Sequence, residues 1–366
     1  MDDQGTRLLV KVAQLYHLQG LNQDQIGRQC GVSRSRVSRM LKEARERGLV
    51  EVSIRYPTRF ALDLERRLEA ELGLREAIVV TAGVGGQVLG SLAAAASDYL
   101  LRMLQPGDVL GVSGGESVTL TAQVMPASTV DGVNVVQLGS GVAYLGERVA
   151  CSSAEVALQM AHKLGSMDRL VLIPVPSVLD TETIRDALLR DTGVQRAMAL
   201  LASCTVALVG IGALGSVAET STAEHSSTDS VTDQSDYRLG HCRPRPLPVT
   251  ADEAAELRAA GAVGEICARC FDMEGNPCVT ALDRRTVALD LRQLRDVPLV
   301  IGVARGREKA AAILGAVRGG YVKSLVTDDV TAMDVLARAS TDTTSRRALG
   351  PAPLAHGRRS PFDRGR

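Results

Sequence analysis

The sequence predicts an α/β protein that carries a small helical unit at its N-terminus. From about residue 76 onward, short aliphatic runs alternate with segments of helical periodicity, which indicates βαβ units around a mainly parallel sheet. Aromatic residues make up only 2% of the 366 residues, so the core must be aliphatic, as buried parallel strands usually are. Residues 1–56 lack this alternation and contain three helical segments with capping residues instead.

The aliphatic runs of the larger unit, residues 76–339, give its expected elements. The predicted strands are Ala77–Val80, Val109–Val112, Val133–Leu138, Leu170–Pro174, Val206–Ile211, Val287–Leu289, Leu299–Val303 and Ser324–Thr327. The clearest helical patterns are Gly90–Leu104, Ala154–Leu164, Thr181–Leu189 and Lys309–Arg318. Residues 57–75 are expected to form a linker helix that also serves as a dimer contact.

Two polar segments interrupt this alternation. Residues 219–250 are rich in Ser and Thr and end in an Arg- and Pro-rich stretch, which predicts a long surface loop. Residues 340–366 are also polar, and we expect a disordered tail there.

The N-terminal 56 residues have the local signals of a winged helix-turn-helix. Asn22 stands three residues before Gln25, which is the spacing of a capping box, and Gly31 suits the left-handed residue that ends a helix. Ser33 is positioned to cap a further helix that runs to about Arg47. The alternating segment 49–54 then predicts a small wing strand.

The last of these helices has one apolar and one basic face. Residues 28–47 contain seven Lys and Arg against two Glu, although the whole chain has a formal net charge of zero. A solvated face on a structural hairpin is the alternative, but the coincidence of caps, turn and basic face favours a recognition helix. Double-stranded operator DNA is the expected partner, contacted by Arg34, Ser35, Arg36, Ser38, Arg39 and Lys42.

Residues 21–57 resemble the DNA-binding segment of SorC-type transcriptional regulators, a sugar-binding family formerly grouped with DeoR-like proteins. The resemblance continues to about residue 337 through Gly107-Asp-Val-Leu-Gly-Val-Ser-Gly-Gly, Val209-Gly-Ile-Gly, Gly261-Ala-Val-Gly-Glu-Ile-Cys-Ala-Arg-Cys-Phe-Asp and Gly315-Ala-Val-Arg-Gly-Gly-Tyr. It implies a Rossmann-like effector domain related to sugar-phosphate isomerases. It also implies a sugar or sugar-phosphate effector and a homodimer or homotetramer on DNA.

Small residues that follow predicted strands mark the expected effector site. A turn of this kind before a helix lets backbone amides close on an anion, although a tight turn with nothing bound has the same pattern. The first such segment is Ser113, Gly114, Gly115, Glu116 and Ser117. Glu116 departs from the neutral or basic residue common in the family and would repel a phosphate, so it turns away or the effector is not phosphorylated.

Further effector residues are expected on later turns. Gly139, Ser140 and Gly141 form a second small-residue turn, which the resemblance also places in the pocket. Gly210 and Gly212 follow a third strand, and close backbone packing explains these glycines equally well. The resemblance implies that Asp272 lies near sugar hydroxyls and Lys309 near an anionic group. Arg305 stands where the family usually has a small residue, so it either fills the pocket or adds a phosphate contact.

The remaining functional classes are less favoured. Cys267 and Cys270 form a C-x-x-C pair, but an extended segment would turn them to opposite sides, so we expect neither a metal nor a cofactor. An enzyme acting on sugar phosphates would need a poised base, and no histidine neighbours the glycine turns. The absence of a membrane-length apolar run or signal peptide predicts a cytoplasmic protein. The sequence therefore predicts a non-enzymatic, effector-controlled DNA-binding regulator, with an enzyme or a thiol- or zinc-responsive regulator as alternatives.

Overall fold

The computed structural model describes residues 3–50, 61–81, 88–139, 152–214 and 249–348. The chain divides into two compact units, Met1–Pro57 and Thr58–Arg366. Three parts of the predicted organisation lie outside the described residues: most of the wing strand, nearly all of the 219–250 loop, and the tail from residue 349.

The N-terminal unit contains three helices, α1 (Asp3–His17), α2 (Gln23–Cys30) and α3 (Arg34–Glu46). Their apolar faces meet in one core, which contains Leu9, Val12, Ala13, Leu15, Ile26, Val37, Met40, Leu41 and Ala44. The spacing of these residues at three or four positions is what an amphipathic helix requires.

The capping residues predicted for the N-terminal unit are confirmed. The Asn22 side chain accepts from the Gln25 amide at 2.9 Å, and the Gln25 side chain accepts from the Asn22 amide at 3.0 Å. Gly31 ends α2 with φ 66°, and the Ser33 hydroxyl accepts from the Arg36 amide at 3.3 Å. These short-range contacts fix the turn between α2 and α3.

The larger unit is built on a seven-stranded parallel sheet and a three-stranded antiparallel sheet. The strands are β1 (Glu76–Val80), β2 (Val109–Val112), β3 (Asn134–Gln137), β4 (Leu170–Val171), β5 (Val206–Gly210), β6 (Gly212–Ala213), β7 (Ala262–Ile266), β8 (Arg269–Asp272), β9 (Leu299–Val303) and β10 (Ser324–Asp328). The parallel sheet has the order β1-β10-β9-β5-β2-β3-β4, and the small sheet has the order β6-β7-β8.

Helices cover both faces of the parallel sheet. They are α4 (Leu62–Leu72), α5 (Val88–Met103), α6 (Glu116–Val124), α7 (Ser153–Leu164), α8 (Glu182–Leu189), α9 (Thr192–Ala202), α10 (Ala251–Ala259), α11 (Ala281–Arg284), α12 (Leu291–Asp296), α13 (Ala310–Arg318) and α14 (Asp329–Ala348). Alternate residues of β5 belong to different apolar clusters, with Ala207 and Val209 in one and Val206 and Leu208 in the other. The sheet is therefore buried on both faces, as its continuous aliphatic strands predict.

The segment predicted as a linker helix is part of the larger unit. Helix α4 buries Leu68 completely and lies along β1, an edge strand of the parallel sheet. Its buried Glu65 carboxylate accepts from the Val79 amide at 2.8 Å, and Glu69 accepts from the Ala77 amide at 2.9 Å. Burial raises the pKa of the Glu65 carboxyl, and the bond from Val79 opposes this shift. The two side chains thus occupy strand amides that an edge leaves unpaired.

Replacing Glu65 with alanine is expected to lower the free energy of unfolding of the larger unit by about 1–3 kcal/mol, because the buried Val79 amide loses its acceptor. Glu71→Ala is the matched control, since Glu71 is exposed and forms a surface ion pair with Arg67 on the same helix at 3.0 Å. Urea denaturation of the full chain measures both variants. Equal urea midpoints for Glu65→Ala and Glu71→Ala would show that the bond from the Val79 amide to Glu65 does not contribute to stability.

The structure differs from the sequence prediction at three other places. Residues 287–289 form no strand; Ala288 makes an isolated bridge to Gly139, and the Leu289 amide donates to the Leu138 carbonyl at 2.9 Å. The hairpin of β7 and β8 was not predicted as two strands. Helix α14 continues to Ala348, so the first nine residues of the predicted disordered tail are helical.

Candidate functional site

The outer face of α3 carries all six residues predicted to contact DNA. Val37, Met40, Leu41 and Ala44 are buried. Arg34, Ser35, Arg36, Ser38, Arg39 and Lys42 are all exposed. One face of α3 is therefore fixed in the core, while the other presents guanidinium, ammonium and hydroxyl groups, which bond to phosphates and base edges.

Local contacts orient part of this face. The Arg39 guanidinium donates to the Ser35 carbonyl at 3.4 Å, and the Ser33 and Ser35 hydroxyls lie 3.1 Å apart. Arg34 lies 4.0 Å from Asp24 on α2, an exposed pair that contributes little stability. Gly27 permits the close approach of α2 to the following turn, because a Cβ there would lie 2.7 Å from the Val32 carbonyl oxygen.

The order of the parallel sheet locates a second candidate site. The strands β2, β3 and β4 lie in chain order toward one edge, and the chain then returns to β5 on the other side of β2. This reversal is a topological switch point, and open α/β sheets bind ligands beyond the carboxyl ends of the strands there. The turn after β2, residues 113–115, and the turn from β5 into β6, residues 210–212, flank it. We call this region the effector pocket.

A buried hydroxyl joins the two turns of the effector pocket. Ser113 donates to the Gly114 carbonyl and accepts from the Gly210 amide, both at 2.9 Å. A Cβ at Gly210 would lie 3.3 Å from the Gly114 oxygen, which is tighter than most Cβ contacts, so glycine eases this approach. Ser113 thus holds the two turns together, and its hydroxyl hydrogen is already engaged in the hydrogen bond to the Gly114 carbonyl.

The turn after β2 leads directly into α6. Gly115 has φ 110°, a conformation that favours glycine, and within the described residues no side chain caps the helix. The N-terminus of α6 therefore follows the glycine turn directly, and backbone amides at a helix N-terminus attract anions or hydroxyl oxygens. Glu116 stands in this first turn, and the Ser117 side chain is buried behind it.

Lys309 brings a positive charge to the same region. It precedes α13 at the end of a short 3-10 helix, Arg307–Lys309, beyond the carboxyl end of β9. Burial lowers the pKa of its ammonium, whereas the charges of Glu265, Glu308 and Glu116 raise it and that of Arg305 lowers it again. Lys309, Glu116 and Glu265, which come from separate parts of the sequence, are thus close enough to interact electrostatically.

Glu265 on β7 is a pocket residue that the sequence prediction missed. Its carboxylate accepts from the Ala268 amide at 2.8 Å, and burial raises the pKa of this carboxyl while Lys309 opposes the shift. A Cβ at Gly212 would lie 2.2 Å from the Glu265 Oε1 atom, so the glycine provides the space for the carboxylate. The available signal was a charged residue inside the apolar segment 262–266.

The remaining predicted effector residues are placed differently. Gly139 follows β3, and a Cβ there would lie 3.3 Å from the Cys267 Cβ, so it contacts the hairpin beside Glu265. Ser140 and Gly141 lie outside the described residues. Asp272 ends β8. Both of its carboxylate oxygens accept from Asn276, at 2.7 and 2.9 Å, and its carbonyl packs on Gly315 in α13.

The C-x-x-C pair does not lie on one extended strand. Cys267 is in the turn between β7 and β8, whereas Cys270 is buried in β8, so the extended interpretation was wrong at residues 267–268. Burial raises the pKa of both thiols, which disfavours the thiolate that metals and oxidants require. Within the described ranges no three His, Cys, Asp or Glu side chains form a metal-binding group.

Comparison with known families assigns both units. Residues 56–237 and 248–337 match the family described as "Putative sugar-binding domain". Residues 11–47 match the family described as sigma-70, region 4, which agrees with the DNA-binding geometry of α2 and α3. In the part of the chain that the structure describes, no helix has the length and apolarity needed to cross a membrane.

Two characterised relatives cover nearly the whole chain. The deoxyribonucleoside regulator of Bacillus subtilis (strain 168) is 31% identical over 335 residues, which are 91% of this chain and 98% of that protein. The sorbitol operon regulator of Klebsiella pneumoniae is 29% identical over 330 residues, which are 89% of this chain and 96% of that protein.

Solved structures agree with this assignment. The crystal structure of full-length SorC from Klebsiella pneumoniae has a TM-score of 0.63 to this chain at 30% sequence identity, covering 91% of this chain and all of that one. The "Putative Sugar-Binding Domain of Transcriptional Repressor from Vibrio fischeri", at 23% identity and TM-score 0.62, shares the fold over 76% of this chain and all of that one. The chain belongs to the SorC-type family of sugar-binding transcriptional regulators and is a DNA-binding regulator controlled by an effector.

Proposed function

We propose that a small carbohydrate, a sugar or sugar phosphate, binds in the effector pocket and changes the affinity of the protein for its operator. The observation that carries this proposal is the meeting of three features at one switch point. These are the glycine turns after β2 and β5, the N-terminus of α6, and the charges of Glu116, Glu265 and Lys309.

The chemistry of the pocket suits a polyhydroxylated ligand with at most one anionic group. Carboxylates such as Glu116 and Glu265 accept from sugar hydroxyls, and Lys309 together with the α6 amides offsets a negative charge. Ser113 serves as a brace between the turns rather than as a ligand contact, because its hydroxyl is engaged on both sides. Asp272 is kept as a proposed sugar contact, because each of its carboxylate oxygens accepts one bond from Asn276 and can accept another.

Regulation requires only differential binding and no catalysis. An effector that binds one conformation or assembly of the protein more tightly shifts the population toward it, and this alters how the α3 faces are presented to DNA. Helix-turn-helix proteins read paired half-sites as two-fold assemblies, so we further propose a homodimer or homotetramer acting on operator DNA in the cytoplasm.

An operator-binding assay with a compound panel tests the proposal. The full-length protein is titrated onto DNA from its own upstream region with 2-deoxyribose, sorbitol, other pentoses and hexoses, and the phosphate of each. We expect one compound to change the operator Kd at least tenfold. We expect the same compound to be recovered chemically unchanged after incubation with the protein. Binding that no carbohydrate changes would contradict the effector assignment, and conversion of a compound to product would contradict the non-enzymatic role.

A further inference from the structure

The hairpin of β7 and β8 turns through two residues in an unfavourable backbone conformation. Cys267 has φ 55° and Ala268 has φ 63°, and they are the two non-glycine residues with positive φ in the described part of the chain. Ile266 pairs with Arg269 on either side of them. A two-residue hairpin loop with both φ values positive is a type I′ turn, which strongly favours Asn-Gly, so Cys-Ala strains this position.

Glu265 supplies the contact that holds this turn. Its Oε2 atom accepts a hydrogen bond from the Ala268 amide at 2.8 Å. The strained turn itself therefore donates to a carboxylate. The other oxygen, Oε1, points to the β5–β6 connection, where Gly212 leaves room for it. The carboxylate therefore bridges the turn and the effector pocket.

The turn also packs against a second element of the pocket edge. Cys267 contacts Gly139 at the carboxyl end of β3, where a Cβ on Gly139 would lie 3.3 Å from the Cys267 Cβ. Gly139 in turn bridges to Ala288. The turn is thus confined on one side by the residues after β3 and on the other by the Glu265 carboxylate.

We propose that the strained Cys267–Ala268 turn is a positioning element of the effector pocket, which fixes the Glu265 carboxylate beside Lys309 through the Ala268 amide. Strained backbone persists where the surroundings enforce it and is concentrated at functional sites. The inference rests on the proposed function only for the identity of the pocket. Two independent observations support it. One is the hydrogen bond from the Ala268 amide, and the other is the room that Gly212 leaves for the Glu265 carboxylate.

The test measures the ionisation of Lys309, which does not require an effector. The chain has five lysines, so 13C reductive methylation gives few signals, and Lys309→Arg assigns the relevant one. Glu265, Glu116, Glu308 and Arg305 are the charged groups around Lys309. The charge of Glu265 raises the pKa of the Lys309 ammonium, so displacement of this carboxylate must move the titration downward.

Three variants separate positioning from general stability. Ala268→Val disfavours positive φ and is expected to lower the Lys309 pKa by at least half a unit. Ala268→Gly accepts positive φ, so it should leave the titration unchanged and raise Tm. Asn276→Ala, which loosens the turn after β8, is the control that should lower Tm without moving Lys309. An unchanged Lys309 titration in folded Ala268→Val, or an equal shift in Asn276→Ala, overturns the proposal.

A measurement on the unaltered protein covers the case in which Ala268→Val does not fold. The Ala268 amide should exchange with deuterium at least tenfold more slowly than an unstructured peptide amide, because the Glu265 carboxylate accepts from it. Exchange at the unprotected rate overturns the proposal. Neither the Lys309 titration nor the Ala268 exchange measurement uses an effector. A sugar panel without a response would therefore not contradict the positioning role of the turn, and a negative result in these two measurements would not contradict effector binding.

Discussion

Arg39→Ala is expected to weaken specific operator binding by about 5- to 150-fold, the equivalent of ~1–3 kcal/mol for a side chain that reads a base edge. Arg39 is exposed on α3, its guanidinium donates to the Ser35 carbonyl, and the neighbouring Val37 and Met40 anchor the helix in the core. The loss should appear for the operator and be much smaller for unrelated DNA, because base contacts, unlike phosphate contacts, carry sequence information.

Arg292→Ala is the matched control for this prediction. Arg292 is an exposed arginine on α12 of the larger unit, so its removal changes the net charge equally without altering α3. Electrophoretic mobility or fluorescence anisotropy at one fixed salt concentration gives both Kd values, since affinity for DNA depends steeply on salt. Equal affinity of the two variants would show that α3 does not read the operator through Arg39.

The helix-turn-helix was the part of the chain best predicted from sequence. Its signals act over three or four residues, as the reciprocal Asn22 and Gln25 bonds show, so no tertiary information is needed to place them. The parallel strands were also placed closely, because their continuous aliphatic runs reflect burial on both faces. The prediction for residues 287–289 failed because an aliphatic run alone does not distinguish a strand from a buried segment with one isolated bridge.

The effector pocket was only partly predictable for a physical reason. The glycine turns follow strands and are visible in sequence, whereas Glu265 reaches the pocket through a hairpin whose turn lacks the usual Asn-Gly signal. The same missing signal made residues 267–268 look extended. Asp272 was expected near the ligand by resemblance alone, and no local sequence signal indicated the turn that it forms with Asn276.

Lys309→Met is expected to remove most of the effector response while leaving operator binding without effector unchanged within about twofold. Methionine retains much of the apolar stem of the half-buried lysine but not its charge. A hydrogen bond to a charged group contributes ~1.5–3 kcal/mol, so the effector concentration for half response should rise about 10- to 150-fold. The effect should be largest for a phosphorylated effector, because Lys309 supplies positive charge in a region that also holds the carboxylates of Glu116 and Glu265.

Lys163→Met, on α7, is the control because it removes a lysine outside the effector pocket. Both variants are titrated with the compound that alters operator binding by the unaltered protein, at one salt concentration, and thermal unfolding verifies that each is folded. If Lys309→Met responded at the same concentration as Lys163→Met, the effector would not contact Lys309. If Lys309→Met instead failed to bind the operator even in the absence of effector, the Lys309 side chain would be needed to stabilise the DNA-binding conformation. If Lys309→Met binds the operator normally but no longer responds to the effector, Lys309 acts in effector binding at the switch point of the sheet. It would then have no role in the DNA-reading face of α3.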